Sequence, residues 1–90
     1  MNVRQSFIVY ELVNELREVI YVGATTNVHQ RLLDHRRKSW WSEVEFARVR
    51  VCKNRREMVD LEAGMIAHLR PKFNTYGNPT ARRQPARSAA

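Results

Sequence analysis

The order of its segments predicts an α+β fold, a small antiparallel sheet of about three strands flanked by helices. Two short runs rich in β-branched and aromatic residues, at 6–13 and 19–23, are separated by a short polar stretch. A third, alternating run follows at 45–53, and two stretches of helical character, 28–38 and 54–69, are interleaved with them.

The first run reads Ser6-Phe7-Ile8-Val9-Tyr10-Glu11-Leu12-Val13, and the second Val19-Ile20-Tyr21-Val22-Gly23. Asn14-Glu15-Leu16-Arg17 between them is short and polar, so a hairpin is the simplest connection. Pairing Val13 with Glu18 across that turn continues as Leu12 with Val19 and Tyr10 with Tyr21. In that register the two tyrosines lie opposite each other on one face. Asn27 serves as an N-cap for a helix over Val28–Lys38 that ends in positive charge. Residues 39–42 are expected to form a loop carrying Trp40 and Trp41. In the third strand Ala47, Val49 and Val51 share one face and Arg48 and Arg50 the other, the pattern of a half-buried strand. Asn54 with Glu57 resembles a capping box, opening a helix that runs to about Leu69, and Pro71 closes it.

The chain has 90 residues, enough for one compact domain. We expect that domain to span residues 1–77, with 78–90 as a basic, disordered tail. Hydrophobic residues make up 43% of the sequence, which supports a modest core. No stretch approaches the roughly 20 apolar residues of a membrane span, and the N-terminus lacks a secretory pattern. The single cysteine, Cys52, supports no disulfide framework and is expected to serve packing in a reducing cytoplasm. The net charge is +7; Arg82, Arg83 and Arg87 belong to the tail, which leaves +4 for the rest. Such an excess favours a polyanion, chiefly nucleic acid.

Glu62 stands out against the helical periodicity. At about 100° per residue, Met58, Leu61, Met65 and Leu69 share an arc with Ile66 beside it, and Glu62 projects into that arc. A carboxylate there must be paired, protonated or bound to a metal. Taken alone, an ion pair with one of the arginines is the commoner explanation. Arg31 and His35 are four apart on the first helix and share a flank. A guanidinium suits phosphate, and histidine moves protons near neutral pH; a solvated basic face is the plain alternative. Paired zinc spacings, a Gly-rich phosphate loop and a Gly-x-Ser-x-Gly elbow are all missing. Trp40 and Trp41 offer base-stacking surfaces, though at least one is expected to cover the small core.

Together these residues resemble the GIY-YIG nuclease family, over a span from Phe7 to about Asn74. Ile8-Val9-Tyr10 is similar to the first signature, with isoleucine where the family usually has glycine, and Tyr21-Val22-Gly23 to the second. Arg31, eight residues past Gly23, matches the family's catalytic arginine, and His35 its His-or-Tyr position. Leu61-Glu62-Ala63 and Arg70-Pro71-Lys72-Phe73-Asn74 resemble the segments carrying the metal-binding glutamate and the terminal asparagine. The resemblance implies a metal-dependent DNA endonuclease in which Glu62 holds one Mg²⁺ or Mn²⁺. It further implies that Arg31 stabilises the phosphate and that Tyr10 or Tyr21 activates water with help from His35. Asn74 would position the phosphate or the tyrosine cluster. The alternatives are a binding module that no longer cuts, and a nuclease subunit whose partner recognises the target.

Overall fold

The computed structural model describes residues 6–75. Three strands, β1 (Phe7–Val13), β2 (Val19–Thr25) and β3 (Phe46–Cys52), form one antiparallel sheet in the order β2-β1-β3. Helix α1 (Val28–His35) follows β2, and a short 3-10 helix, Ser39–Glu43, occupies the expected loop. Helix α2 (Arg55–Leu69) and the single turn α3 (Lys72–Thr75) complete the described region. The α+β class and its segment order are those expected. The proposed tail at 78–90 lies outside the described residues.

The hairpin is organised by Asn14. Its Oδ1 accepts hydrogen bonds from the Leu16 and Glu18 amides at 3.0 and 2.9 Å, and its Nδ2 donates to Glu18 Oε1 at 2.8 Å. Arg17 takes the left-handed conformation that the turn requires, with φ 67. Val13 then pairs with Val19 rather than Glu18, and the register slips between Leu12 and Val13, so Leu12 meets Tyr21 and Tyr10 meets Gly23. The expected pairing of Tyr10 with Tyr21 is therefore wrong. The irregularity adds a residue, Ile20, on the β2 side, and that residue joins the core. Tyr10 and Tyr21 remain neighbours as a diagonal pair.

β1 is central and buried from Ile8 to Val13, so it reads as a nearly continuous apolar run. On one face Ile8, Tyr10, Leu12 and Ile20 pack with Val28, Leu32, Trp40, Trp41, Val44 and Phe73. On the other, Val9, Val22, Cys52 and Met58 pack with Leu61, Met65 and Ile66 of α2. The free thiol of Cys52 is buried in this second layer. Glu11 is also buried there, and it is compensated by Arg48 at 3.1 Å.

Two local expectations need correction. α1 stops at His35, three residues early, because Arg37 and Lys38 form tight turns back to Asp34 and His35. β3 does exist, but its valine face is open: Val49 is 53% and Val51 74% exposed. β3 is an edge strand, and the helices packed on that face cover β1 and β2 instead. The α2 cap is as expected: Asn54 Oδ1 accepts from the Glu57 amide at 2.8 Å. Glu57 Oε1 in turn accepts from the Lys53 amide at 2.6 Å. The helix ends with Arg70 in the left-handed region, followed by buried Pro71.

A Cβ placed on Gly23 would collide with the hydroxyl and ring of Tyr10. Gly23→Ala should therefore lower the unfolding free energy by about 1–3 kcal/mol, read as a reduced denaturant midpoint. An unchanged midpoint would mean that the Tyr10 ring shifts freely and that this contact is not a constraint.

Candidate active site

The site forms where β1, β2, α1 and α2 converge. Tyr10, fully buried on β1, places its hydroxyl 2.7 Å from Nε2 of His35. His35 is the last residue of α1 and only 5% exposed, so the helix points its imidazole into the sheet. Tyr21 on β2 closes the triangle. Its ring centroid lies 6.1 Å from Tyr10 and 4.7 Å, edge-on, from His35. Unlike Tyr10, Tyr21 is partly exposed, so it is the phenol that solvent reaches. Arg31 lies one turn before His35 on α1 and is exposed.

The electrostatics of these groups are coupled. Burial pushes the Tyr10 hydroxyl well above the usual phenol range; Tyr21 and Glu62 add to the rise and the Arg31 guanidinium opposes it. Tyr21 is likewise raised by burial, with Arg31 and the Tyr10 hydroxyl pulling the other way. His35 is lowered, first by burial and then by the positive charges of Arg31 and Lys38. Both phenols and the imidazole are thus held neutral near neutral pH. Only Nδ1 of His35 is a buried side-chain polar atom without a hydrogen-bond partner among the described residues.

Glu62 is half-buried on α2 beside Leu61, Met65 and Ile66, as the apolar arc required. Burial raises its carboxyl pKa, and only Arg31 opposes the shift. Among the described residues it makes no hydrogen bond or ion pair; the acids that do pair are Glu11, Asp60 and Glu43. The simple ion-pair explanation is therefore not what these residues form. Nor does any group of three or more His, Cys, Asp or Glu gather elsewhere among the described residues. The chemistry of the position suits one hard cation held by one protein carboxylate, its other positions filled by water and phosphate oxygens.

Asn74 is buried, and both its polar atoms engage the backbone of Val22. Oδ1 accepts from the amide at 2.7 Å and Nδ2 donates to the carbonyl at 2.8 Å. It thus grips β2 between Tyr21 and Gly23. Two further residues contribute through contacts that no local pattern marks. Gly23 gives Tyr10 its room, and Trp40 stacks on Tyr21 at 5.6 Å and on Phe73 at 4.7 Å. The doublet of tryptophans is conspicuous in the sequence, but nothing in its spacing points to residues 19 and 33 positions away.

The chain matches the GIY-YIG catalytic domain family over residues 6–76. Among solved structures it is similar to the magnesium-bound GIY-YIG N-terminal endonuclease domain of UvrC from Thermotoga maritima. The TM-score is 0.66 at 26% identity, covering 78% of this chain and 83% of that one. No curated protein matches it in sequence.

The depressed His35 pKa has a consequence for stability. Between the ordinary imidazole value, about 6.5, and the lowered folded value, the unfolded chain binds a proton that the folded chain does not. Stability is therefore fully present above that window and declines as pH falls through it. Denaturation midpoints measured from pH 7.5 downward should show this slope in the wild type, and His35→Gln should flatten it. Equal slopes in the two proteins would show that His35 titrates alike in both states.

Proposed function

The chain belongs to the GIY-YIG catalytic-domain family, and on that premise we propose that it is a metal-dependent endonuclease hydrolysing phosphodiester bonds in DNA. The observation that carries this reading is the meeting of two neutral phenols, an imidazole and a guanidinium with a half-buried carboxylate that has no partner among the described residues. Magnesium in the UvrC domain supports the same ion class at Glu62 here, with Mn²⁺ as the substitute. When bound, such an ion supplies Lewis-acid stabilisation of the phosphate and the leaving oxygen. The free buried thiol of Cys52 suits a reducing cytoplasm. No helix among the described residues is long and apolar enough to cross a membrane.

In this reading Tyr21, the exposed phenol, receives the attacking water at its hydroxyl oxygen. Tyr10 is too buried to meet water and serves as the link to His35. The proton leaving water passes by way of Tyr21 and Tyr10 to Nε2 of His35, which its lowered pKa keeps unprotonated and ready. Arg31 faces the phosphate and offsets its developing charge. Asn74 holds the backbone beneath Tyr21, so its part is to place the tyrosine cluster. Retention of all these groups is what disfavours a module that binds without cutting.

Glu62 decides the matter. Its raised pKa means that the folded chain binds a proton more readily than the unfolded one. Stability is therefore lost as pH rises from the ordinary carboxyl value through the shifted one, and above it ionised Glu62 carries the full cost. Glu62→Gln removes that cost together with the ion's anchor. Cleavage of single-stranded and duplex DNA in Mg²⁺ or Mn²⁺ should fall to the level seen with chelator, while binding persists and melting in chelator holds or rises. A variant that cuts at the wild-type rate would end the single-metal reading. Cleavage of RNA with DNA left intact would move the substrate to RNA.

Arg31→Lys keeps the charge but loses the forked pair of donors that a phosphate accepts. The expected loss is about 10²-fold in kcat, with little change in thermal midpoint, since Arg31 is exposed. A lysine variant cutting at the original rate would reduce Arg31 to one charge among many on a basic surface.

A further inference from the structure

We propose that Trp40, which is not among the motif residues quoted for the family likeness, is a positioning residue: its indole sets the orientation of the Tyr21 phenol. The inference rests on the reading of Tyr21 as the group that receives the attacking water. β2 is an edge strand and Tyr21 is partly exposed upon it, so strand pairing alone leaves the ring free to turn about its side-chain bonds. Trp40 removes that freedom. Its ring stacks against Tyr21 at 5.6 Å with 26° between planes, and lies 5.6 Å from His35.

Trp40 is itself held from behind. Phe73 stacks on it at 4.7 Å, the planes within 8° of parallel. Phe73 belongs to α3, which Asn74 fastens to Val22, the residue after Tyr21. Lys72 Nζ lies 2.9 Å from Glu43 Oε1, joining α3 to the 3-10 helix that carries Trp40, and 5.0 Å from the Phe73 ring. Tyr21, Trp40 and Phe73 therefore form one column, tied at its far end to both segments that flank it. Trp40 does not touch phosphate or water in this account. It acts through Tyr21, because reaction rates fall steeply when a reacting group is displaced by a fraction of its reach.

The test pairs kinetics with a measurement that needs no catalysis. In preparations shown to be folded by circular dichroism, Trp40→Ala should lower kcat roughly ten-fold to a hundred-fold with KM within about two-fold, and Trp40→Phe should restore most of the rate. In chelator and without DNA, ring-labelled tyrosines, assigned with Tyr21→Phe, should lose the proton cross-peaks between Tyr21 and His35 when Trp40 is truncated, while those between Tyr10 and His35 persist. Tyr21–His35 cross-peaks that persist unchanged, or wild-type kcat in Trp40→Ala, would overturn the proposal. If Trp40→Ala does not fold, the Phe variant decides: a flat phenyl ring should keep Tyr21 near its native signal, and a shift as large as that of a denatured tyrosine counts against it. Should the wild type cut no phosphodiester substrate, the nuclease reading fails by itself, and the Tyr21 signals still judge whether Trp40 sets that ring.

Discussion

Tyr10 reaches His35 only because the strand beside it carries glycine at position 23. A side chain there would occupy the volume of the phenol. The close approach lets a fully buried tyrosine lie across its neighbouring strand and put its hydroxyl 2.7 Å from an imidazole at the end of α1. Much else follows from that contact. The helix end is fixed against the sheet, both ring groups are desolvated, and Tyr21 is left as the phenol nearest solvent. The irregularity between Leu12 and Val13 is what brings glycine opposite Tyr10 at all.

The same burial that shapes the phenols acts on Glu62, with the opposite meaning. For Tyr10, Tyr21 and His35, removal from water favours the neutral form, and neutral groups are what a proton route requires. For Glu62 it leaves a carboxylate that gains by acquiring a positive neighbour. Arg31 is the one charge that bears on all four, lowering each pKa. Under the proposed function, a phosphate drawn to Arg31 would weaken that influence and so link substrate binding to the protonation state of the site through a single exposed side chain.

How much of this was legible depended on distance along the chain. Glu62 was conspicuous because helical periodicity places it among Leu61, Met65 and Ile66, and all four are half-buried, whereas Leu69, assigned to the same arc, is 40% exposed at the helix end. The Asn54–Glu57 cap is three residues wide and could be read directly. The strand register was not readable, because it is settled by the side chain of Asn14 folding back on two amides and by a slip in pairing that no pattern announces. The faces of β3 misled for another reason. Alternation shows that two faces differ, but which is covered depends on where the helices lie, and Val49 and Val51 prove to be on the open side. The Trp40–Phe73 stack and the Asn74–Val22 grip join residues far apart in sequence and left no local trace.

The grip of Asn74 on Val22 spans 52 positions. While a ribosome is still making the chain, β1, β2 and α1 emerge early, but the asparagine that engages the backbone beside Tyr21 emerges only with the last described turn. Until then the Val22 amide and carbonyl lack their native partners, and the column behind Tyr21 lacks Phe73. The tyrosine strand is therefore secured last, after Glu62 and Arg31 have already been made. A chain ended before Asn74 would carry Tyr21, Arg31 and Glu62 but lack the side chain that holds the Val22 backbone.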